Sequence, residues 1–227
     1  MKPITRNSAI LAASTLLAGT SAAQVCLGRP HFSTGPVQLG IATNVGNDIS
    51  SVGAEMGFGV DRSFFGMGRV SQSRFGRDRL GRPNDPEGTT IGLQGGYQVS
   101  FGQRMATQFC PMVSAEWGRL DVVPGEHLRR SEIIVGGNIG WAPATNSGTH
   151  VVPFVGAGVA YLDRTRERAL DPDVEFAART YYPVTAGLGL HFDRAFMLVG
   201  NVTIPVNLAG ADPVFGLRMI VPTGRGR

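Results

Sequence analysis

Charge is scarce in this chain, and lysine is nearly absent. Charged residues make up 17% of the 227 residues, whereas an ordinary soluble domain is closer to a quarter charged. Lys2 is the only lysine, so almost all of the positive charge is arginine. The formal net charge of +4 includes Lys2 and Arg6, and no basic stripe is interleaved with aromatic residues. This composition argues against nucleic acid as a partner.

Long apolar runs are missing beyond the N-terminus. Ala9–Leu17 is mostly apolar but too short for a spanning helix, and no later segment reaches the roughly 18 consecutive apolar residues that one needs. Lys2 and Arg6 precede this run, and the small residues Ser21–Ala23 follow it. We therefore expect residues 1–23 to be a cleaved signal peptide. Export without a spanning helix leaves a secreted soluble protein or a barrel in an outer membrane.

In place of long runs the chain has alternation with a period of two, clearest from Thr89 to Trp117. One parity of this segment is mostly apolar, and it holds Ile91, Leu93, Tyr97, Val99 and Phe101 and, after a turn, Phe109, Val113, Ala115 and Trp117. The other parity is mostly Gly, Gln, Ser and Thr. This period is typical of a strand with one apolar face, and the short Gly-containing turn indicates a hairpin.

The same pattern recurs and predicts about ten strands in one barrel domain, residues 36–221. The strands cover residues 36–45, 51–60, 64–72, 89–101, 107–117, 132–141, 151–162, 180–192, 196–206 and 214–221. Phe64–Gln72 is the weakest because neither parity is cleanly apolar, and without it the count would fall to eight. Residues 24–35 form an N-terminal arm, and residues 222–227 form a C-terminal tail.

The connections between the predicted strands alternate in length. Short or moderate turns follow the second, fourth, sixth and eighth strands, whereas long charged loops are predicted at Arg74–Gly88, Gly118–Arg130 and Asp163–Arg179. We expect a short helical turn around Val174–Ala178 within the last of these. Transmembrane barrels have short periplasmic turns and longer external loops, so both termini would lie on the periplasmic side.

Proline also occurs inside the predicted strands. Pro111, Pro153, Pro183 and Pro205 each remove one hydrogen bond from the ladder between strands. In hydrocarbon an unpaired backbone group is costly. We therefore expect bulges or strand ends near these four positions.

The two faces of the strands differ in a way that favours a membrane barrel. The polar parity carries small residues that suit the crowded interior of a small barrel, with few of the charges that a water-facing sheet would carry. Six aromatic residues on the apolar parity lie at strand ends, as in the girdles at membrane interfaces: Phe101, Trp117, Trp141, Tyr161, Phe192 and Phe196. We predict an all-β, closed, antiparallel, up-and-down transmembrane β-barrel. A secreted soluble β-barrel that binds a small apolar ligand is the alternative.

On this pattern, from Pro36 to Val221, the sequence resembles the small outer-membrane β-barrel proteins of Gram-negative-type bacteria, the OmpA/OmpX-like group of porin-type barrels. The resemblance implies a location in the bacterial outer membrane, with the lipid of that membrane and the barrel-assembly machinery as partners and no cofactor. It implies a structural, adhesive or weakly pore-forming role. The chain departs from the group because it ends at Arg227 without a terminal aromatic residue and favours ten strands over eight.

Four charged residues with interior parity are candidate functional residues. Glu55 and Arg218 lie near mid-strand on strands that one other strand separates, and a charge in a narrow lumen needs a partner. We expect an ion pair that either gates the lumen or is purely structural. Glu116 and Glu132 lie near the outer ends of neighbouring strands, where they would form an acidic mouth for cations or contact loop arginines such as Arg129 and Arg130.

The two cysteines and the four histidines complete the set of reactive side chains. Cys110 has interior parity and Cys26 lies in the arm, so we hypothesise a disulfide that pins the arm in the barrel mouth after export. Two free buried thiols are the alternative. The histidines are isolated in the sequence, and none has a serine or aspartate partner at a matching height. We therefore expect no enzymatic activity, no catalytic residues and no metal site.

Overall fold

The alternation of apolar and small polar side chains is realised as β-strand along nearly all of the described chain. The computed structural model describes residues 37–46, 49–60, 64–75, 87–101, 107–123, 126–141, 149–168, 174–192, 196–208 and 211–223. The predicted signal peptide and N-terminal arm lie outside these residues, as do residues 224–227 of the predicted tail. Among the described residues no helix is long and apolar enough to cross a membrane.

Eleven strand segments form one antiparallel sheet. They are β1 Val37–Val45, β2 Ile49–Val60, β3 Phe64–Phe75, β4 Glu87–Tyr97, β5 Val99–Phe101, β6 Thr107–Val123, β7 Glu126–Trp141, β8 Thr149–Arg168, β9 Val174–Phe192, β10 Phe196–Val206 and β11 Val214–Thr223. Segment β5 continues β4 beyond Gln98, and both pair with β6. The first strand pairs with the last, so the sheet closes into a ten-strand up-and-down barrel, as the alternation predicts.

The prediction of a long loop is wrong for two of the three segments, because the neighbouring strands continue into them. Segment β6 runs on to Val123 and β7 begins at Glu126, so most of Gly118–Arg130 is hairpin. Likewise β8 runs to Arg168 and β9 begins at Val174, which also excludes the predicted helical turn. Here the alternation is reversed, because Leu120 and Leu128 face inward while Arg119 and Arg129 are exposed, so no outward apolar face reveals these strands. The ladder between neighbouring strands forms them instead.

These extensions give the barrel two different ends. At the turn end β1 begins and β11 ends, with Val37 opposite Thr223. At the opposite end, which we call the rim, β6 to β9 stand above the other strands. The pairing of Arg119 with Arg129 and of Arg129 with Thr165 holds this extension together. The central part of the predicted loop Arg74–Gly88, residues 76–86, lies outside the described residues.

The strand prolines lie where ladders end or are interrupted. The break between β4 and β5 at Gln98 lies beside Pro111, and the pairing of β8 with β9 is interrupted opposite Pro183. Pro153 lies one residue beyond the last β7–β8 pair, and Pro205 is next to the end of β10. Each strand proline therefore has one neighbouring strand on whose side the ladder ends or is interrupted, and a missing N–H costs least there.

The apolar parity faces outward on every strand segment. Leu93 is 57% exposed, Val135 59% and Leu188 44%. These side chains point away from one another rather than into a shared centre, as they would in a soluble barrel. A monomeric soluble protein rarely exposes a continuous apolar surface of this extent. The orientation therefore fits a lipid solvent and excludes the apolar-cored alternative.

The interior is less polar than the sequence predicts. One apolar cluster lies towards the turn end, and it consists of Val152, Phe154, Met197, Val199 and Ile220. A second cluster on β7, β8 and β9 includes Leu162 and Tyr181. The loop after β10 reaches into this second cluster through Leu208, which is 5% exposed. Asn207 begins that loop with a φ of 64°, which asparagine tolerates better than most residues.

Candidate functional site

A row of charged residues crosses the inner wall of the barrel. Strand register places Glu55 opposite Arg69, Arg69 opposite Gly92, Gly92 opposite Glu116 and Glu116 opposite Glu132. The row therefore runs across β2, β3, β4, β6 and β7, and all four charged side chains are buried. Each projects inward because its parity is opposite to that of the outward apolar residues.

Arg69 reaches past one strand to form an ion pair with Glu116. Its Nη2 donates to the Glu116 carboxylate, and both side chains are less than 5% exposed. Gly92 lies between them in the row, and a Cβ at this position would be 3.3 Å from Glu116 Cγ. The missing side chain thus leaves the space in which the two charges meet.

Glu55 and Arg218 meet in the same way across β1. The distance from Arg218 Nη2 to Glu55 Oε1 is 2.9 Å, and the side chains are 1% and 3% exposed. Gly40 of β1 lies opposite Glu55, and a Cβ there would be 3.5 Å from Glu55 Oε2. Arg218 also interacts electrostatically with Arg69 and Glu116, so the two ion pairs form one network.

Glu132 completes the row with two partners of its own. Arg130 Nη2 donates to Glu132 Oε2 at 2.8 Å, and the Tyr181 hydroxyl donates to Glu132 Oε1 at 2.6 Å. The carboxylate is fully buried. A buried charge is stable only when it is paired and hydrogen-bonded, and both carboxylate oxygens of Glu132 meet this condition.

The predicted site residues are therefore distributed as follows. Glu55 and Arg218 are brought together, whereas Glu116 and Glu132 are neighbours that each face an arginine rather than an open acidic mouth. The described residues contain no group of three or more His, Cys, Asp or Glu that could hold a metal ion. Arg69 was missed because it lies on β3, whose parity the sequence leaves unclear.

Cys110 has the interior position that its parity predicts. Its side chain is fully buried, and no free cysteine occurs among the described residues. Cys26 lies outside those residues. The bridge between Cys26 and Cys110 therefore stays a prediction.

The six aromatic residues predicted as girdles fall at the two ends of the apolar band. Four of them lie towards the turn end, and they are Phe101, Trp141, Phe192 and Phe196. Phe192 and Phe196 stack with ring centroids 4.6 Å apart. Trp117 and Tyr161 lie towards the rim, and each is at least half exposed. Phe64 and Tyr97, which are not among the six predicted girdle residues, form a tilted pair near the turn end.

The spacing of these aromatic residues matches the thickness of a membrane. Trp117 lies opposite Ser131 of β7, and Trp141 ends the same strand. Ten residues of strand rise about 33 Å. A tilt of about 40° reduces this to a height of about 25 Å, which equals the apolar band of known membrane barrels.

Comparisons with known proteins concern the fold. The β domain of the Bordetella autotransporter BrkA is 10% identical with a TM-score of 0.51, over 84% of this chain and 100% of that one. The transport unit of the autotransporter AIDA-I from Escherichia coli is 10% identical with a TM-score of 0.47, over 94% and 99%. The N-terminal β-barrel domain of Pseudomonas aeruginosa OprF is 16% identical with a TM-score of 0.36, over 82% and 96%. No protein-family model and no curated protein matches the sequence. The structural neighbours are bacterial outer-membrane β-barrels, as the sequence resemblance implied.

Proposed function

We propose that this outer-membrane-type barrel is a structural protein of the bacterial outer membrane whose lumen is held closed by its charged row. It would conduct ions weakly, and only when the ion pairs exchange partners. Its partners would be the lipid of that membrane and, during insertion, the barrel-assembly machinery. The proposal includes no catalytic step.

The observation that carries the proposal is the network of Glu55, Arg218, Arg69 and Glu116. Two arginines and two carboxylates form two buried ion pairs, each past one intervening strand, on the inner wall of a barrel of ten strands. A barrel this small has an interior that side chains can fill, whereas open aqueous channels belong to barrels of about sixteen strands. Conduction would therefore require the network to rearrange rather than a preformed pore.

Planar-bilayer recording of the refolded protein tests this proposal. The wild-type barrel should show rare openings of low conductance, since both ion pairs must separate. Glu55→Gln should raise the open fraction, because it leaves Arg218 without its carboxylate. The double variant Glu55→Gln with Arg218→Gln is the matched control, since it leaves neither charge of this pair alone and should return the open fraction towards that of wild type.

Two outcomes would count against this function. A wild-type barrel that conducts continuously would mean that the charged row does not close the lumen. A Glu55→Gln variant that folds but opens no more often than wild type would make the pair purely structural. Folding of each variant is checked by heat-modifiable migration on gels, which closed membrane barrels display.

A second role, contact with an external partner, is favoured by the rim extension. The outward faces of β6 and β7 carry polar residues above the apolar band, among them the hydrogen-bonded side chains of Asp121 and His127. A hairpin that extends beyond the membrane offers a surface for adhesion. Shortening it by deletion of residues 121–127 should abolish adhesion to host or bacterial surfaces and leave heat-modifiable folding unchanged. Unchanged adhesion would dismiss this role.

A further inference from the structure

Two arginines lie side by side on the outside of the barrel wall, just above the rim-side aromatic residues. Arg119 of β6 lies directly opposite Arg129 of β7, and both side chains are exposed. Like charges directly opposite on neighbouring strands destabilise a sheet. A ligand of opposite charge placed between the two arginines would therefore be attracted by both.

A hollow of about 630 Å³ lies at these arginines. Its lining joins two surfaces of different chemistry, the polar rim and the apolar band below it. Arg119, Arg129 and Thr89 belong to the rim, whereas Ile91 and Trp117 belong to the apolar band. Ile91 is 54% exposed and Trp117 50% exposed, both on the lipid-facing side. The hollow therefore offers cationic groups at one end and an apolar surface at the other.

The charge around the hollow is predominantly positive. Asp163 is the acidic residue of the lining. Arg130 and Arg164 also belong to the lining, but their side chains are buried, and Arg130 donates to Glu132 in the interior. Burial, followed by the neighbouring charges of Arg179 and Arg130, lowers the pKa of Arg164. Asp163 is already engaged, because its Oδ1 accepts a hydrogen bond from the Arg164 backbone N–H at 2.8 Å. An anion at this place would meet the guanidinium groups of Arg119 and Arg129, the two exposed arginines of the lining.

We propose that this hollow binds the phosphate of a phosphorylated lipid in the outer leaflet, with the lipid chains lying along Ile91 and Trp117. The inference rests on the proposed membrane location but not on conduction. Guanidinium groups bind phosphate through paired, charge-assisted hydrogen bonds. The membrane boundary estimated from the aromatic residues puts Arg119 and Arg129 at headgroup height. A lipid whose phosphate binds at the two arginines would place its chains on the apolar band within the same hollow.

Native mass spectrometry of the folded protein in detergent, titrated with lipid A, tests the proposal. Arg119→Ala with Arg129→Ala should weaken binding on the order of 25-fold, since one basic side chain near a charged membrane surface contributes roughly fivefold. The matched control is Arg74→Ala with Arg179→Ala, which removes the same charge from exposed positions outside the hollow. It should bind as wild type does.

Fluorescence titrations identify the ligand and the place where it binds. The chain has two tryptophans, so Trp141→Phe leaves Trp117 as a fluorescent reporter inside the hollow. Lipid A should change its emission, whereas dephosphorylated lipid A and inorganic phosphate should not. An equal response to inorganic phosphate would replace the lipid with a free anion and overturn the proposal. Equal loss of binding in both double variants would also overturn it, because the effect would then be one of net charge.

This experiment is separable from the proposed function. A protein that stays in solution without detergent would refute the membrane location, whatever the lipid titration gives. A detergent-dependent barrel that fails to bind lipid A would refute only the lipid site. Heat-modifiable migration identifies any variant that has not folded, and the single variant Arg119→Gln then replaces the double one.

Discussion

A carboxylate inside this barrel is stable only while a cation faces it. Glu55, Glu116 and Glu132 each have an arginine partner, and the three carboxylates are at most 5% exposed. Charged side chains usually lie on a protein surface, because burial costs desolvation free energy. A partner of opposite charge in direct contact offsets that cost. The pairs are therefore interdependent, and removing one member should cost more than the pair contributes.

At the residue scale we expect Glu55→Gln to destabilise the barrel by about 3 kcal/mol, because it leaves the buried Arg218 without its countercharge. Guanidinium unfolding in lipid vesicles, followed by tryptophan emission, measures this change. The double variant Glu55→Gln with Arg218→Gln should recover much of the loss, since neither charge is then left alone. A loss below about 0.5 kcal/mol for the single variant, the range of ordinary surface changes, would contradict the pairing.

The predicted disulfide is also a residue-scale question. Cys110 is fully buried inside the barrel, which would protect a bridge to Cys26 from reductants. We expect no titratable thiol in the oxidised protein unfolded without reductant, and two after reduction. Mobility on non-reducing gels should differ between the two forms. Two titratable thiols in the oxidised protein would mean that both cysteines are free.

At the element scale the strands depend on glycines that accept neighbouring side chains. Gly187 of β9 lies under the ring of Phe154, and a Cβ there would overlap Phe154 Cζ and approach the Gly200 carbonyl oxygen to 2.5 Å. Both obstacles are fixed, since one is a buried ring and the other is backbone. Gly200 of β10, in contrast, has nothing within 4 Å of the corresponding Cβ position.

We therefore expect Gly187→Ala to destabilise the barrel by about 1–3 kcal/mol through overpacking. Gly200→Ala is the matched control on the neighbouring strand and should be neutral, because its Cβ meets open space. The comparison uses the same unfolding assay. Equal effects at the two positions would mean that strand propensity, rather than the contact with Phe154, decides the outcome.

At the scale of the whole molecule the outward apolar band decides which solvent the protein needs. Val135 is 59% exposed on this band. In a water-soluble protein an arginine at so exposed a position would change stability by less than about 0.5 kcal/mol. In a bilayer the same charge near the midplane costs about 2–4 kcal/mol.

We expect Val135→Arg to lower the free energy of unfolding by about 2–4 kcal/mol when unfolding is measured in lipid vesicles. Gln72→Arg, at an exposed position of β3 near Glu87 and towards the rim, is the control and should cost about 0–1 kcal/mol, as charges near the interface do. A small effect of Val135→Arg would place that side chain in water and contradict the membrane orientation.

Much of the fold could be read from the sequence because the side-chain period of a strand is two. The alternation predicted ten strands, their order around the barrel, and which face of each is apolar. It also predicted aromatic residues at the two ends of the apolar band. Even the weakest strand prediction, Phe64–Gln72, is present as β3. The alternation predicted too few residues in β6 to β9, because above the apolar band the outward face becomes polar, as at Arg119 and Arg129, while Leu128 faces inward.

By itself the sequence determined which side chains face inward, since parity places Glu55, Glu116, Glu132 and Arg218 in the interior wherever the strands pair. Only the tertiary structure decided their partners. Arg69 meets Glu116 past an intervening strand because register places Gly92 between them. Register depends on turn geometry as well as on the alternation. The register of the β6–β7 hairpin likewise places Arg119 opposite Arg129, and the loop after β10 brings Leu208 into the barrel. The side-chain period of a strand predicts neither contact.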